Sequence, residues 1–133
     1  MVMKKMLFVF LSVLLCSGCV TSQTPEEPPT YRQISMVEAV EMMQNERDYI
    51  ILDVRTPEEF AEKRVPQAIN IPNETIGTEE IPQLPDKDQL IMIYCRSGRR
   101  SKLAADKLVV LGYTNIVEFG GINDWTGETV SGP

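Results

Sequence analysis

The sequence contains no histidine. A chain without imidazole cannot build a Ser-His-Asp triad, a Cys-His pair or a His-containing zinc site, and it lacks the commonest general base. Any catalysis must therefore use cysteine, arginine, lysine, carboxylates, hydroxyls or backbone amides. Basic residues are also few, 13 against 19 acidic ones, and the net charge is −6. That charge argues against a protein that binds nucleic acid through its phosphates.

The first 18 residues have the pattern of a secretory signal peptide. Lys4 and Lys5 precede an apolar stretch, residues 6–15, which is too short to span a bilayer comfortably. Ser17-Gly18-Cys19 resembles the lipobox of bacterial lipoproteins, although Cys16 stands where leucine is usual. We expect cleavage before Cys19 and lipidation of its sulfur. An ordinary secretory signal or an uncleaved anchor is the alternative.

This N-terminal pattern also predicts the location and the domain boundaries. The lipid would hold the protein in the cell envelope, on the outer side of the cytoplasmic membrane. In a host with two membranes, we expect the periplasmic face of the outer membrane. Residues 19–30 follow as the lipidated cysteine and a tether with three prolines, which is typical of an extended, solvated segment. Residues 31–133 are long enough for one folded domain.

Cysteine is scarce, at three residues. Cys16 would leave with the signal peptide and Cys19 would carry the lipid, so Cys95 is predicted to be the free thiol of the mature chain. An intramolecular disulfide and a cysteine-only metal site are then excluded. We expect no metal, no cofactor and a monomer.

Strand and helix patterns alternate along the domain. Ser35 with Glu38 and Thr56 with Glu59 form capping boxes, which predict helices over residues 36–45 and from 57 through 60. A third helix is predicted over residues 101–111, with Leu103 among its buried residues and Gly112 after its end. Apolar runs predict strands over residues 49–54, 68–71, 89–94 and 115–119, and residues 73–88 read as loop with one helical turn. This alternation indicates an α/β domain with a mostly parallel sheet.

The candidate site lies where the third apolar run meets the third helix. In an open parallel sheet, ligands bind beyond the carboxyl ends of the strands, and Cys95 falls at such an end. Loop amides and a helix start favour negative charge there and lower the pKa of a thiol. A buried structural cysteine beside a solvated basic helix end is the alternative interpretation. The predicted ligand-binding residues are Arg96, Ser97, Gly98, Arg99, Arg100 and Ser101.

Four motifs together resemble the rhodanese-like sulfurtransferases. CRSGRRS, residues 95–101, resembles the active-site loop of that family, Cys-x-x-Gly-x-Arg-Ser. LDVRTPEEF, VPQAINIP and FGGINDW resemble three further family motifs in the same order. The sequence departs from the family at Lys63-Arg64, where Gly-His is common, and at Gln67, where glycine is common. The resemblance covers residues 31–126 and implies a rhodanese-like domain, with helices on both faces of the sheet.

The resemblance also implies a mechanism. The Cys95 thiolate would take the outer sulfur of thiosulfate or of a persulfide and pass it to a thiophilic acceptor, such as cyanide or a thiol, including a protein thiol. Residues 96–101 would hold the persulfide and the anionic donor, and Arg100 matches the family's recurrent arginine. Because an ionised thiolate needs no general base, the lack of histidine is no obstacle.

Two other function classes remain open from the sequence. The first is a phosphatase or arsenate reductase of the same fold, whose loop resembles Cys-x5-Arg. Here Arg100 follows Cys95 after four residues, and Ser101 occupies the position that the longer loop gives to arginine. The second class is a sulfur carrier or a non-catalytic binding module. Outside the loop, we expect Arg55 and Glu59 to pair with each other and Trp125 to belong to the core.

Overall fold

The structure, a computed structural model, describes Gly18, Glu27 and residues 30–133. The predicted signal peptide apart from Gly18, the Cys19 lipidation site and most of the tether lie outside the described residues. The strands are β1 (Arg32–Gln33), β2 (Tyr49–Asp53), β3 (Ile69–Asn70), β4 (Leu90–Cys95) and β5 (Ile116–Gly121). The α-helices are α1 (Met36–Asn45), α2 (Pro57–Glu62) and α3 (Arg99–Val110). Two single turns of 3-10 helix cover Asn73–Thr75 and Ile122–Asp124.

The five strands form one sheet in the order β1-β5-β4-β2-β3. All of its strand pairings are parallel, which confirms the predicted sheet. Because the strands run the same way, their carboxyl ends meet at one edge. Asp53 of β2 pairs there with Tyr94 of β4, and Cys95 pairs with Gly121 of β5.

Alternating side chains of the sheet build a core on each face. Ile91, Ile93 and Cys95 of β4 face the first core. Met92 and Tyr94 of the same strand face the second. Helix α3 covers the first face and α1 covers the second, so helices lie on both faces as predicted. This double burial explains why the strand sequences are continuous apolar runs instead of alternating ones.

Both predicted capping boxes are present. Ser35 Oγ accepts from the Glu38 N–H at 3.2 Å, and the Glu38 carboxylate accepts from the Ser35 N–H at 2.7 Å. Thr56 and Glu59 repeat the arrangement at the start of α2. Helix α3 ends at Val110, with Leu111 as its C-cap, and Gly112 follows with a φ of 94°, a value that favours glycine.

Several boundaries differ from the prediction. Helix α3 begins two residues earlier than predicted, at Arg99, and β4 extends to Cys95. Strand β1 was not predicted, because two residues carry no recognisable period. Leu103 was predicted to be buried but is 47% exposed. It lies beside the buried face of α3, which is formed by Ser101, Ala104, Ala105, Leu108 and Val109.

The Trp125 side chain packs partly buried against the second core, as expected. Its indole N–H donates to the Glu128 carbonyl at 2.9 Å, which satisfies its one donor. No helix in the described part of the chain has both the length and the apolarity needed to cross a membrane.

Candidate active site

Cys95 occupies the position that the sequence predicts. It is the last residue of β4, at the carboxyl edge of the sheet, and three residues separate it from the first turn of α3. Its side chain is 1% exposed, and the structure contains it as a free thiol. The sulfur is therefore presented from a rigid strand into the loop that begins the helix.

The loop surrounds the sulfur with hydrogen-bond donors. The Gly98 N–H donates to Cys95 Sγ at 3.0 Å, and the Cys95 thiol donates to Ser101 Oγ at 3.4 Å. Burial raises the pKa of the Cys95 thiol, but hydrogen bonding with the Ser101 hydroxyl and with the Ser101, Gly98 and Ser97 amides outweighs burial and lowers the pKa below its usual value. The arrangement therefore favours a thiolate, as predicted from the loop sequence.

Two glycines make this loop geometry possible. Gly98 has a φ of 99°, in the left-handed region that glycine adopts without strain. Gly121 lies on β5 where the loop crosses it, and a Cβ on Gly121 would overlap the Arg96 carbonyl oxygen. Gly98 was predicted as the turn residue. The contact of Gly121 was not predicted, because it depends on the packing of β5 against the loop.

The three loop arginines have different environments. Arg96 and Arg99 are exposed. The Arg100 guanidinium forms two hydrogen bonds with the Glu59 carboxylate, at 2.7 and 2.9 Å. The hydrogen bond with Glu59 is the largest cause that raises the pKa of the Arg100 guanidinium, and the charge of Cys95 is a smaller one. The structure thus brings Arg100 to the site, but with a carboxylate already bound to it.

The expected pairing of Arg55 with Glu59 is wrong. The Arg55 guanidinium instead contacts Asp53, with the shortest distance 2.6 Å, and also donates to the Lys63 carbonyl. The Tyr94 hydroxyl donates to the same Asp53 carboxylate at 2.6 Å. All three of these buried polar side chains lie at the end of β2 and β4. Their contacts fix the sheet edge next to the cysteine loop.

An open cleft of about 360 Å³ adjoins the loop. Arg96 and Asn123 lie on one side of it, and α2 with the residues after β2 and after α2 forms the other side. The cleft is mixed in charge, with Arg55, Lys63 and Arg96 against Glu59 and Glu62. This cleft offers space for a small molecule beside the cysteine loop.

Glu118 is a site residue that was not predicted from the sequence. It is 2% exposed and lies on the face of β5 that α3 covers. Its Oε1 accepts from Ser101 Oγ at 2.6 Å and from the Gly120 N–H at 2.9 Å. The signal was present in the sequence, because Glu118 is the one charged residue within the run IVEFGG of β5.

The loop around Cys95 can stabilise a sulfur nucleophile. The donors around Cys95 Sγ stabilise negative charge on the sulfur, and the same amides are placed to stabilise a persulfide. Within the described residues, no group of three or more carboxylates or cysteines could hold a metal ion.

Comparison with known proteins places the fold and the loop in one family. The rhodanese-like domain family matches residues 35–128, and the chain belongs to that family. The chain is 36% identical over 81 residues to the thiosulfate sulfurtransferase PspE of Escherichia coli, with 61% of this chain and 78% of PspE covered. It is 40% identical over 81 residues to a sulfurtransferase of Allochromatium vinosum, covering 59% of this chain and 72% of the relative.

A solved structure supports the assignment. The structure described as rhodanese with anions from E. coli matches with a TM-score of 0.57 at 36% identity, covering 63% of this chain and 99% of that one. Two yeast relatives are each named adenylyltransferase and sulfurtransferase, and the match covers only 22% and 21% of their length. The activity of those whole proteins is therefore not carried over to this chain.

Proposed function

We propose that the protein is a sulfurtransferase that moves a sulfane sulfur from thiosulfate or a persulfide to a thiophilic acceptor through a persulfide on Cys95. The observation that carries the proposal is the Gly98 N–H pointing at Cys95 Sγ from 3.0 Å, at the start of α3. A donor in this position stabilises both the thiolate and the persulfide charge. The sulfurtransferases among the relatives support the same reaction class.

The reaction has two steps. In the first, the Cys95 thiolate attacks the outer sulfur of thiosulfate, a sulfur–sulfur bond forms on Cys95, and the old sulfur–sulfur bond breaks with its electron pair leaving on sulfite. In the second, the acceptor attacks the outer persulfide sulfur and Cys95 leaves as a thiolate. Cyanide would become thiocyanate, and a thiol, including a protein thiol, would become a persulfide. No step requires imidazole.

The test is transfer of sulfur from thiosulfate to cyanide by the wild-type chain and by Cys95→Ser. We expect activity in the wild type and loss of measurable transfer in the variant, because serine provides a much weaker nucleophile in the same space. Equal rates in the two chains would contradict the proposal. Hydrolysis of an aryl phosphate without sulfur transfer would instead favour the phosphatase alternative. A stable persulfide with no small acceptor would favour a sulfur carrier.

Arg100 is proposed to attract and orient the anionic donor. The pKa of Arg100 is raised mainly by its hydrogen bond with Glu59, and the charge of Cys95 adds to this rise, which supports the role. We expect Arg100→Ala to cost about 1.5–3 kcal/mol of transition-state stabilisation, which lowers kcat/KM for thiosulfate by roughly 10- to 150-fold and by more than Arg96→Ala does. An unchanged kcat/KM in Arg100→Ala would show that Arg100 does not bind the donor. Cys95 alkylation by a neutral reagent in the same variant separates donor binding from thiol reactivity.

We propose further that a lipid on Cys19 anchors the domain in the cell envelope, on the outer side of the cytoplasmic membrane. The support is the lipobox-like sequence before Cys19 and the polar, proline-containing tether after it. Expressed in a bacterium, the wild-type chain should fractionate with membranes and incorporate a labelled fatty acid. Cys19→Ser should not incorporate the label. A wild-type chain found unprocessed and free of lipid would contradict the anchor.

A further inference from the structure

Glu118 is a buried carboxylate next to the cysteine loop, and the proposed sulfur transfer does not involve it. Glu118 is 2% exposed, and no ion pair joins it to a cation within the described part of the chain. A buried carboxylate without a cation is costly and persists only if hydrogen bonds satisfy it. Here the Ser101 hydroxyl and the Gly120 N–H supply those bonds.

The Ser101 hydroxyl connects this carboxylate with the cysteine. Ser101 Oγ lies 2.6 Å from Glu118 Oε1 and 3.4 Å from Cys95 Sγ. A hydroxyl has one proton to donate. While that proton goes to the Glu118 carboxylate, Ser101 Oγ can only accept from Cys95, which requires a protonated thiol. When Cys95 is a thiolate, the hydroxyl must turn to it, and Glu118 loses its shortest hydrogen bond unless it takes up a proton.

We propose that Ser101 and Glu118 form a proton relay to Cys95, in which the thiol and the buried carboxylate share one proton. Ser101 accepts the thiol proton and passes its own hydroxyl proton to Glu118. The products are a thiolate that accepts from Ser101 and a neutral carboxyl group that donates to it. One negative charge is present before and after the step, so the site forms its nucleophile without holding two adjacent buried charges.

Other titratable groups face this relay from the surrounding elements. Tyr31, just before β1, lies near enough for Glu118 and Asp106 to help raise its pKa, although burial is the larger cause. Arg100 on α3 interacts with the charge of Cys95. Arg100 is held by Glu59, and Tyr31 is a weak acid, so neither takes part in the hydrogen-bonded chain between Cys95 and Glu118. Glu118 is therefore a positioning residue that acts on the sulfur through Ser101.

The relay predicts that the charge of Glu118 opposes complete ionisation of Cys95. We expect Glu118→Gln to move the pH midpoint of Cys95 alkylation by iodoacetamide downward by about one unit or more, since it removes a like charge within about 6 Å. Ser101→Ala should move the midpoint upward, because the thiolate loses a donor. Glu79→Gln, at an exposed position away from the loop, is the matched control and should leave the midpoint unchanged.

The measurement uses the full-length chain, with alkylation of the Cys95 peptide followed by mass spectrometry. It needs no sulfur donor, so its outcome does not depend on the proposed transferase activity. Only the role of the relay in sulfur transfer rests on the proposed function. A midpoint that stays in place or rises in Glu118→Gln would overturn the relay.

Carbon NMR of the Glu118 carboxyl group tests the shared proton directly. The signal should show a titration step in the pH range where Cys95 ionises, and Cys95→Ser should remove that step. If Glu118 stays ionised and only repels the thiolate, the alkylation midpoint would still fall in Glu118→Gln, but the carbon signal of Glu118 would show no titration step in this range. That result would also contradict the proposal, because it shows that no proton is shared.

Discussion

At Cys95, burial and hydrogen bonding act on the thiol in opposite directions. Burial disfavours the thiolate, while the Ser101 hydroxyl and the loop amides favour it and lower the pKa on balance. The pKa of this thiol is therefore lowered although the residue is only 1% exposed. In the proposed mechanism, these loop hydrogen bonds stabilise the thiolate without an imidazole.

The sequence predicts some site residues well and others not at all. Cys95 and Gly98 follow from local pattern, since a thiol after an apolar strand and a glycine in the next turn need no knowledge of packing. Glu59 binding Arg100 could not be predicted, because it depends on how α2 lies against α3. Glu118 was detectable as a charge in an apolar strand, but its contact with Ser101 needs the fold.

Gln67 stands where the family commonly has glycine, and the structure keeps a conformation suited to glycine there. Its φ is 68°, which costs a side chain with a Cβ about 1 kcal/mol. The side chain is exposed, so little contact would be lost by removing it. We predict that Gln67→Gly stabilises the fold by about 0.5–1 kcal/mol, measured by urea unfolding. Gln67→Ala, which keeps the Cβ, is the control and should give no such gain.

At the scale of elements, Glu59 serves two helices. Its carboxylate accepts from the Thr56 N–H in the capping box of α2 and from the Arg100 guanidinium of α3. The hydrogen bond from Arg100 is the main cause that lowers the pKa of Glu59 to about 2. The first helix after β2 is thereby joined to the helix that carries the cysteine loop. The capping box was predictable from sequence, whereas the bond to α3 was not.

The lowered pKa of Glu59 determines whether the folded state gains or loses stability as the pH falls. A carboxyl group with a depressed folded-state pKa stabilises the fold fully above its unfolded value, near 4.5, and loses that contribution as pH falls toward 2. We predict that Glu59→Gln destabilises the fold by about 1–2 kcal/mol at neutral pH, allowing for solvent screening.

Urea unfolding across pH tests this effect. The difference between wild type and Glu59→Gln should shrink as the pH is lowered from 5 toward 3. Glu41→Gln on the exposed face of α1 is the control and should change little at any pH. A difference between wild type and Glu59→Gln that stays constant over this range would show that the ion pair does not provide the stability.

At the scale of the whole molecule, positive charge is concentrated in the cysteine loop of a chain that is negative overall. The net charge is −6, yet Arg96, Arg99 and Arg100 all lie within five residues after Cys95. The parallel sheet brings this loop to the edge where β2, β4 and β5 end. The alternation of elements predicted a mostly parallel sheet, because parallel strands require crossover connections, but it did not predict the order of the strands. The two-residue strand β1 escaped prediction because nothing in its sequence distinguishes it from a loop.

The central claim is that Cys95 carries the transferred sulfur, and one measurement tests it most directly. The wild-type chain is treated with thiosulfate, and the mass of the Cys95 peptide is determined before and after addition of cyanide. The account predicts that thiosulfate makes this peptide heavier by one sulfur atom, that cyanide removes the added mass, and that Cys95→Ser gains none. A Cys95 peptide of unchanged mass, or the same gain in Cys95→Ser, would contradict the account.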